Sequence, residues 1–170
     1  MSESLTRFNS LPAEEARAEL LKCCGARRWA ERVAAGRPYA SAGELGEAAD
    51  RVWRGLSADD WLEAFRAHPK IGERKAAAEV SAEARAWSER EQAGAASASE
   101  ETRAALASAN QTYEERFGFI FIVCAAGKTA AEMLSLLEAR LGHDRETELR
   151  VAAGEQAKIT RLRLRKLLES

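Results

Sequence analysis

One stretch of this sequence has the composition of a β-strand, Phe117-Gly118-Phe119-Ile120-Phe121-Ile122-Val123-Cys124, and it stands alone. Nearly every other window is dominated by Ala, Leu, Glu and Arg, with almost no β-branched runs. A single strand has no partner for its backbone N–H and C=O groups. The run is therefore expected to be a buried extended connector or a distorted helical turn, and the chain to be all-α. Its 170 residues are 46% apolar and 31% charged, with 11 Gly and 3 Pro, which suits one folded domain spanning 1–170 rather than a low-complexity chain. Basic and acidic side chains balance at 26 against 27, so the basic surplus that nucleic-acid binding draws on is missing.

Cys23, Cys24 and Cys124 are odd in number and lack CxxC spacing, and the two histidines, His68 and His143, lie far apart. They read as reduced thiols, with no metal site. No apolar stretch approaches the roughly 18 residues of a membrane span, and MSESLTRFNSLPAEEARAEL lacks the basic-then-apolar order of a signal peptide. The expectation is a cytoplasmic protein with no membrane or nucleic-acid partner.

Punctuation cuts the chain into about eight helices around one core. Pro12, with Glu14 and Glu15, opens a helix closed by Gly25; a short segment carrying Trp29 ends before Gly36-Arg37-Pro38. Ser41 precedes a helix to about Arg54, and Ser57 with Asp60 resembles a capping box opening a helix that stacks Trp61 on Phe65. Pro69 stops that helix near Ala67, leaving His68-Pro69-Lys70-Ile71-Gly72-Glu73 as an ordered loop. Further helices run from Ser81 to about Ala95, Glu100 to Phe117, Thr129 to Leu141 before Gly142, and about Asp144 to Leu168.

Three groups of residues are candidates for chemistry. His68 is a titratable imidazole held off a helix end by Pro69; its ordinary account is a histidine placed against the helix macrodipole, which also serves His143. Ser88, Glu91 and Gln92 share one helix face with Ala84, Trp87 and Ala95, so Glu91 is either an inward carboxylate needing a partner or part of an exposed charge run with Glu89 and Arg90. In the arginine-rich last helix, Leu149, Ala153, Ala157, Thr160, Leu164 and Leu167 form an apolar arc. Arg163 falls beside that arc, Arg161 at its edge, and Lys158, Arg165 and Lys166 point away. An inward guanidinium asks for an anion, either Glu91 or a substrate carboxylate. Together these groups make the inventory of a small-molecule acid/base site, and no GxGxxG, Walker loop, HExxH or GxSxG is present.

These motifs occur in a familiar order. His68-Pro69-Lys70-Ile71-Gly72, Ser88-x-x-Glu91-Gln92, the Phe117 to Ala125 run with Gly127-Lys128, Arg140-Leu141, and Lys158-Ile159 followed by Arg163-Leu164 resemble the 2-oxo-4-hydroxy-4-carboxy-5-ureidoimidazoline (OHCU) decarboxylases of urate breakdown. Asn9, Leu11, Trp29 and Arg37-Pro38 extend the resemblance over nearly the whole chain; Ile120 stands where many members have Pro. The resemblance implies a cofactor-free, all-helical homodimer that decarboxylates a ureidoimidazoline to (S)-allantoin. It further implies His68 and Glu91 as the catalytic pair, with Pro69, Ser88, Gln92, Arg163 and the backbone of Phe119, Ile120, Phe121 and Ile122 binding substrate. Two alternatives stay open: a helical interaction module that docks a partner through the basic last helix, and a decarboxylase or lyase acting on a related ureide.

Overall fold

Helix starts and stops are written locally, by residues that satisfy backbone groups a helix leaves open. The computed structural model describes residues 2–71, 82–96 and 98–170, and among them lie ten helices and an extended connector from Gly118 to Thr129. Gly72, Glu73, Ser81 and the side chain of Ala95 lie outside the described residues. The two helices beyond the expected eight are Glu3–Ser10 and the single turn Ala93–Ala96. The architecture is all-α, and by its contacts the chain divides into two compact units, Met1–Ala64 with Ala157–Ser170, and Phe65–Gln156.

The first unit contains α1 (Glu3–Ser10), α2 (Ala13–Cys23), α3 (Arg27–Ala35), α4 (Ala42–Arg54), most of α5 (Ala58–Arg66) and the end of α10 (Arg145–Glu169). Ser2 and Ser41 cap α1 and α4 by accepting the amides of Leu5 at 3.2 Å and Glu44 at 3.0 Å. Trp29 is fully buried, and its indole N–H donates to Ala49 O at 3.1 Å, so the large ring enters the core without an orphaned donor. Asn9 brackets Tyr39 like a strand partner, donating to its carbonyl at 2.9 Å and accepting its amide at 3.0 Å. Arg37 donates to the carbonyls of Phe8 and Leu11, both at 2.8 Å, which closes the end of α1. The Ser57–Asp60 box opens α5 as expected, with both backbone amides accepted across it at 3.4 Å.

The second unit contains the end of α5, α6 (Ala82–Glu91), α7 (Ala93–Ala96), α8 (Glu100–Phe117), α9 (Ala130–Arg140) and α10 as far as Gln156. Ser99 caps α8, and Thr129 with Glu132 forms a capping box on α9. Gly118 ends α8 at φ 80°, a left-handed turn that glycine adopts without steric cost, and its amide returns to Glu114 O at 2.8 Å. From Gly118 to Thr129 the chain is extended or turned, so the strand-like run is a connector.

One expectation of ring pairing needs correcting. Trp61 does not take Phe65 as its partner: it meets Trp53, with ring centroids 6.0 Å apart, and donates its indole N–H to Trp53 O at 3.0 Å. Phe65 instead meets Phe119 at 5.7 Å. An i,i+4 spacing puts two rings on one helix face, but here each ring is taken by a neighbouring element, Trp61 also by a hydrogen bond that Phe65 could not accept.

Candidate active site

The connector poses the accounting problem that its sequence announced. A non-helical run with Phe119, Phe121, Ile122 and Val123 buried must find partners for its backbone away from any ladder. Side chains supply them. Arg140 Nη1 donates to Ile122 O at 2.7 Å, Arg145 Nε to Phe117 O at 3.0 Å, and Lys128 Nζ to Cys124 O at 2.9 Å, while Glu155 Oε1 accepts the Cys124 amide at 3.2 Å. Among the described residues none accepts the amides of Phe119, Ile120, Phe121 or Ile122.

Aromatic rings hold the run from the other side. Tyr113 lies edge-on to Phe119 at 5.9 Å and Phe121 at 5.4 Å, and the Arg140 guanidinium sits 4.5 Å from the centroid of Phe121. Such ring and cation–π contacts contribute about 0.5–1.5 kcal/mol each beyond simple burial. Arg140 is itself fixed by Glu148, which is fully buried and accepts from Arg140 Nε at 2.6 Å, from His143 Nδ1 at 2.9 Å and from the Tyr113 hydroxyl. Burial, then the bond to Glu148, pushes the Tyr113 hydroxyl well above its ordinary range. His143 thus has a definite structural partner beyond its helix end.

His68 lies two residues beyond α5, half-buried, with its amide donating to Phe65 O at 3.1 Å. Because Phe65 packs on Phe119, the same ring that fills the core ties the His68 loop to the connector. The His68 Nε2 nitrogen meets Gln156 Oε1 at 2.6 Å. Pro69 follows in irregular backbone, half-buried.

On α6 the expected face is the inward one: Ala84, Trp87 and Ser88 are buried, Glu91 and Gln92 are half-buried, and Glu89 and Arg90 are exposed. Ser88 Oγ donates to Ala84 O at 3.1 Å. Burial pushes the Cys124 thiol up, against the Ala126 backbone and the Lys128 cation, which pull it down, and the Glu155 and Glu91 carboxylates add smaller upward pushes. The α6 helix ends at Glu91 rather than near Ala95, and α7 then packs its Gly94 against the Lys128 backbone, where a methyl group would collide with the carbonyl oxygen.

Arg163 belongs to the first unit. It is 5% exposed, as its place beside the apolar arc of α10 requires, and Nη1 donates to Lys22 O at 3.3 Å. Arg161 is bound to Asp50 at 2.7 and 3.0 Å, and Arg165 is exposed. The basic residues of α10 are thus divided between buried, paired and solvated positions instead of forming one docking face. Nearby, burial pushes the Cys24 thiol up to about 12.

Sequence reasoning missed Gln156 and Glu148. Both sit on a line of α10 at i+4 spacing, Glu148-Ala152-Gln156, and all three residues are fully buried. The signal was a polar pair flanking the apolar arc, which reads by default as the arc's wet edge. Among the described residues, no group of three or more His, Cys, Asp or Glu side chains is arranged to hold a metal ion, and no helix is long and apolar enough to cross a membrane.

Comparison with known proteins follows the same residues. The profile of a family described as OHCU decarboxylase matches residues 9–165. The chain is 39% identical over 145 residues to the uric acid degradation bifunctional protein TTL of Arabidopsis thaliana, covering 85% of this chain and 45% of that protein. It is 35% identical to a 2-oxo-4-hydroxy-4-carboxy-5-ureidoimidazoline decarboxylase of Haloferax volcanii, covering 79% of this chain and 77% of that one. A crystal structure of OHCU decarboxylase in the presence of (S)-allantoin superposes with a TM-score of 0.77 at 38% identity, covering 89% of this chain and 98% of that one.

Proposed function

The chain belongs to the OHCU decarboxylase family, and on that premise we propose that it removes the carboxylate of 2-oxo-4-hydroxy-4-carboxy-5-ureidoimidazoline to yield CO2 and (S)-allantoin. The observation that carries the reading is the union of a His68 loop and an amide-bearing connector through Phe65, in a chain whose fold is shared with an OHCU decarboxylase structure obtained with (S)-allantoin.

The chemistry needs little more than placed acids and bases. The carbon–carbon bond to the carboxylate breaks, the electron pair enters the conjugated ring C=N of the substrate, and one proton is taken up for each carboxylate lost. His68 accepts the proton of the substrate hydroxyl beside the departing carboxylate. His68 passes that proton to the ring nitrogen that has taken the electron pair, and Glu91 delivers the one proton taken up from solvent to the ring carbon, where delivery to one face fixes the chirality. Ser88, Gln92, Pro69 and Arg163, with the amides of Phe119 to Ile122, hold the ring carbonyl and ureido groups. Homodimeric assembly and cytoplasmic residence belong to the same proposal, and the first is read directly from the solution mass by light scattering.

The test is circular dichroism at allantoin wavelengths, following urate carried through an oxidase and a hydrolase with and without this chain. The expected result is faster appearance of (S)-allantoin in enantiomeric excess. General acid/base groups contribute about 10²–10⁴-fold, so His68→Asn and Glu91→Ala should each lose at least that order while remaining folded. Retention of more than about a tenth of the activity in either variant would remove that residue from the catalytic pair.

A further inference from the structure

The geometry points to Gln156 as the positioning residue for His68: through its 2.6 Å hydrogen bond to Nε2, the carboxamide sets the ring orientation and tautomer that the histidine presents to substrate. This rests on His68 having the role proposed above, and it adds a residue that no motif of the sequence reading contained.

A buried carboxamide is costly unless its polar atoms are bonded, and Gln156 is fully buried on α10. That burial spends a long polar side chain on a residue 88 positions earlier in the chain, in a loop where Pro69 has already ended the helix. Backbone restraint alone leaves the imidazole its two side-chain torsions. The carboxamide oxygen is an acceptor only, so the ring nitrogen facing it carries the proton, and the histidine's second nitrogen is the one defined as acceptor. A glutamine also differs from a carboxylate in one measurable way. It orients the ring without adding a negative charge that favours the imidazolium.

That difference supplies the test. The full chain is prepared as wild type, Gln156→Glu and Gln156→Met, the last an uncharged side chain of similar length. Imidazole 15N and 1H resonances are titrated by NMR. The chain has two histidines, so His68→Asn assigns the signals. In wild type, His68 is expected to show the tautomer protonated at Nε2. Gln156→Glu should raise its titration midpoint by at least about one pH unit, as a new carboxylate partner does, and move the matching limb of the kcat/KM profile by the same amount. Gln156→Met should leave a mixed tautomer and lower kcat about 10–100-fold, with KM changed by less than about threefold.

An Nδ1-protonated wild-type ring, or a His68 midpoint that does not move in Gln156→Glu, overturns the proposal. So does a folded Gln156→Met variant with kcat within twofold of wild type. The NMR readout needs no substrate, so it stands if decarboxylation is absent; absent turnover in wild type refutes the functional reading instead.

Discussion

Replacing Arg140 by Met is the sharpest test of how the connector is held. The Arg140 side chain is 8% exposed and Glu148 is fully buried. Removing the guanidinium takes the Nε bond at 2.6 Å from Glu148 and the Nη1 bond at 2.7 Å from Ile122 O, and leaves both acceptors inside the protein. Breaking one side of a buried ion pair typically costs about 3–5 kcal/mol, and an orphaned buried carbonyl about 1–3 kcal/mol more. The expected loss is thus about 4–8 kcal/mol, which is most of the stability of a domain worth roughly 5–15 kcal/mol. A second substitution separates charge from packing. In Arg140→Met with Glu148→Leu no charge is stranded, and since apolar replacement of a buried pair is often close to neutral, at least about half of the loss should return. Urea unfolding followed by far-UV circular dichroism measures both, with an unchanged m-value certifying the comparison. If Arg140→Met costs less than about 1 kcal/mol at unchanged m, or the double variant is less stable than the single, the guanidinium is not what compensates Glu148 and the reasoning fails.

Alkaline stability should carry the signature of Cys24. Its thiol rises from an ordinary 9.0 to about 12 in the folded chain, so its contribution is intact below pH 9 and declines as pH rises towards 12, because the unfolded chain loses that proton first. The limiting slope is about 1.4 kcal/mol per pH unit, and Cys24→Ala should be shallower by about half a proton at pH 9, rising towards one at pH 10; parallel urea midpoints for the two proteins would contradict the burial argument. Thiol reagents at pH 8 should modify Cys124, which is half-buried, before the buried Cys23 and Cys24, and reach all 3 only in denaturant; two or more fast thiols in the native protein would refute this order. Two glycines should answer oppositely to alanine. Gly94→Ala drives a methyl into Lys128 O and should cost about 1–3 kcal/mol, whereas Gly154→Ala, with nothing within 4 Å of the added carbon inside α10, should stabilise by about 0.4–1 kcal/mol, both read from thermal midpoints.

Helix boundaries were legible because the groups that set them are close in sequence. Ser41, Ser99, Thr129 and the Ser57–Asp60 pair each satisfy amides within three residues, and Gly118 needs only its own φ. The inward faces of α6 and α10 were legible for the same reason, since periodicity sorts Glu91 from Glu89 and Arg163 from Arg165 without knowledge of what lies opposite. Choice of partner is another kind of information. Phe65 found Phe119, Trp61 found Trp53, His68 found Gln156 and Ile122 found Arg140, and none of these pairings follows from helical spacing. Glu148 and Gln156 were lost to a rule that is usually sound, that polar residues flanking an apolar arc are wet.

The strand-like run unites these observations. Beyond its first turn a helix consumes its own amides in its ladder, so a helical protein that is to offer a run of backbone N–H groups away from a helix start must interrupt itself somewhere. Interruption inside a core strands carbonyls as well as amides, and the carbonyls are the larger problem because no ligand anion can satisfy them. Here charged side chains from α9, α10 and Lys128 take the carbonyls of Phe117, Ile122 and Cys124, while the amides from Phe119 to Ile122 are left without an acceptor among the described residues. In the proposed function Arg140, Arg145 and Lys128 therefore act as positioning residues, through the connector carbonyls they hold. Their removal should weaken binding at the connector even where His68 and Glu91 keep their places, because a connector that must satisfy its own carbonyls no longer holds its amides in line.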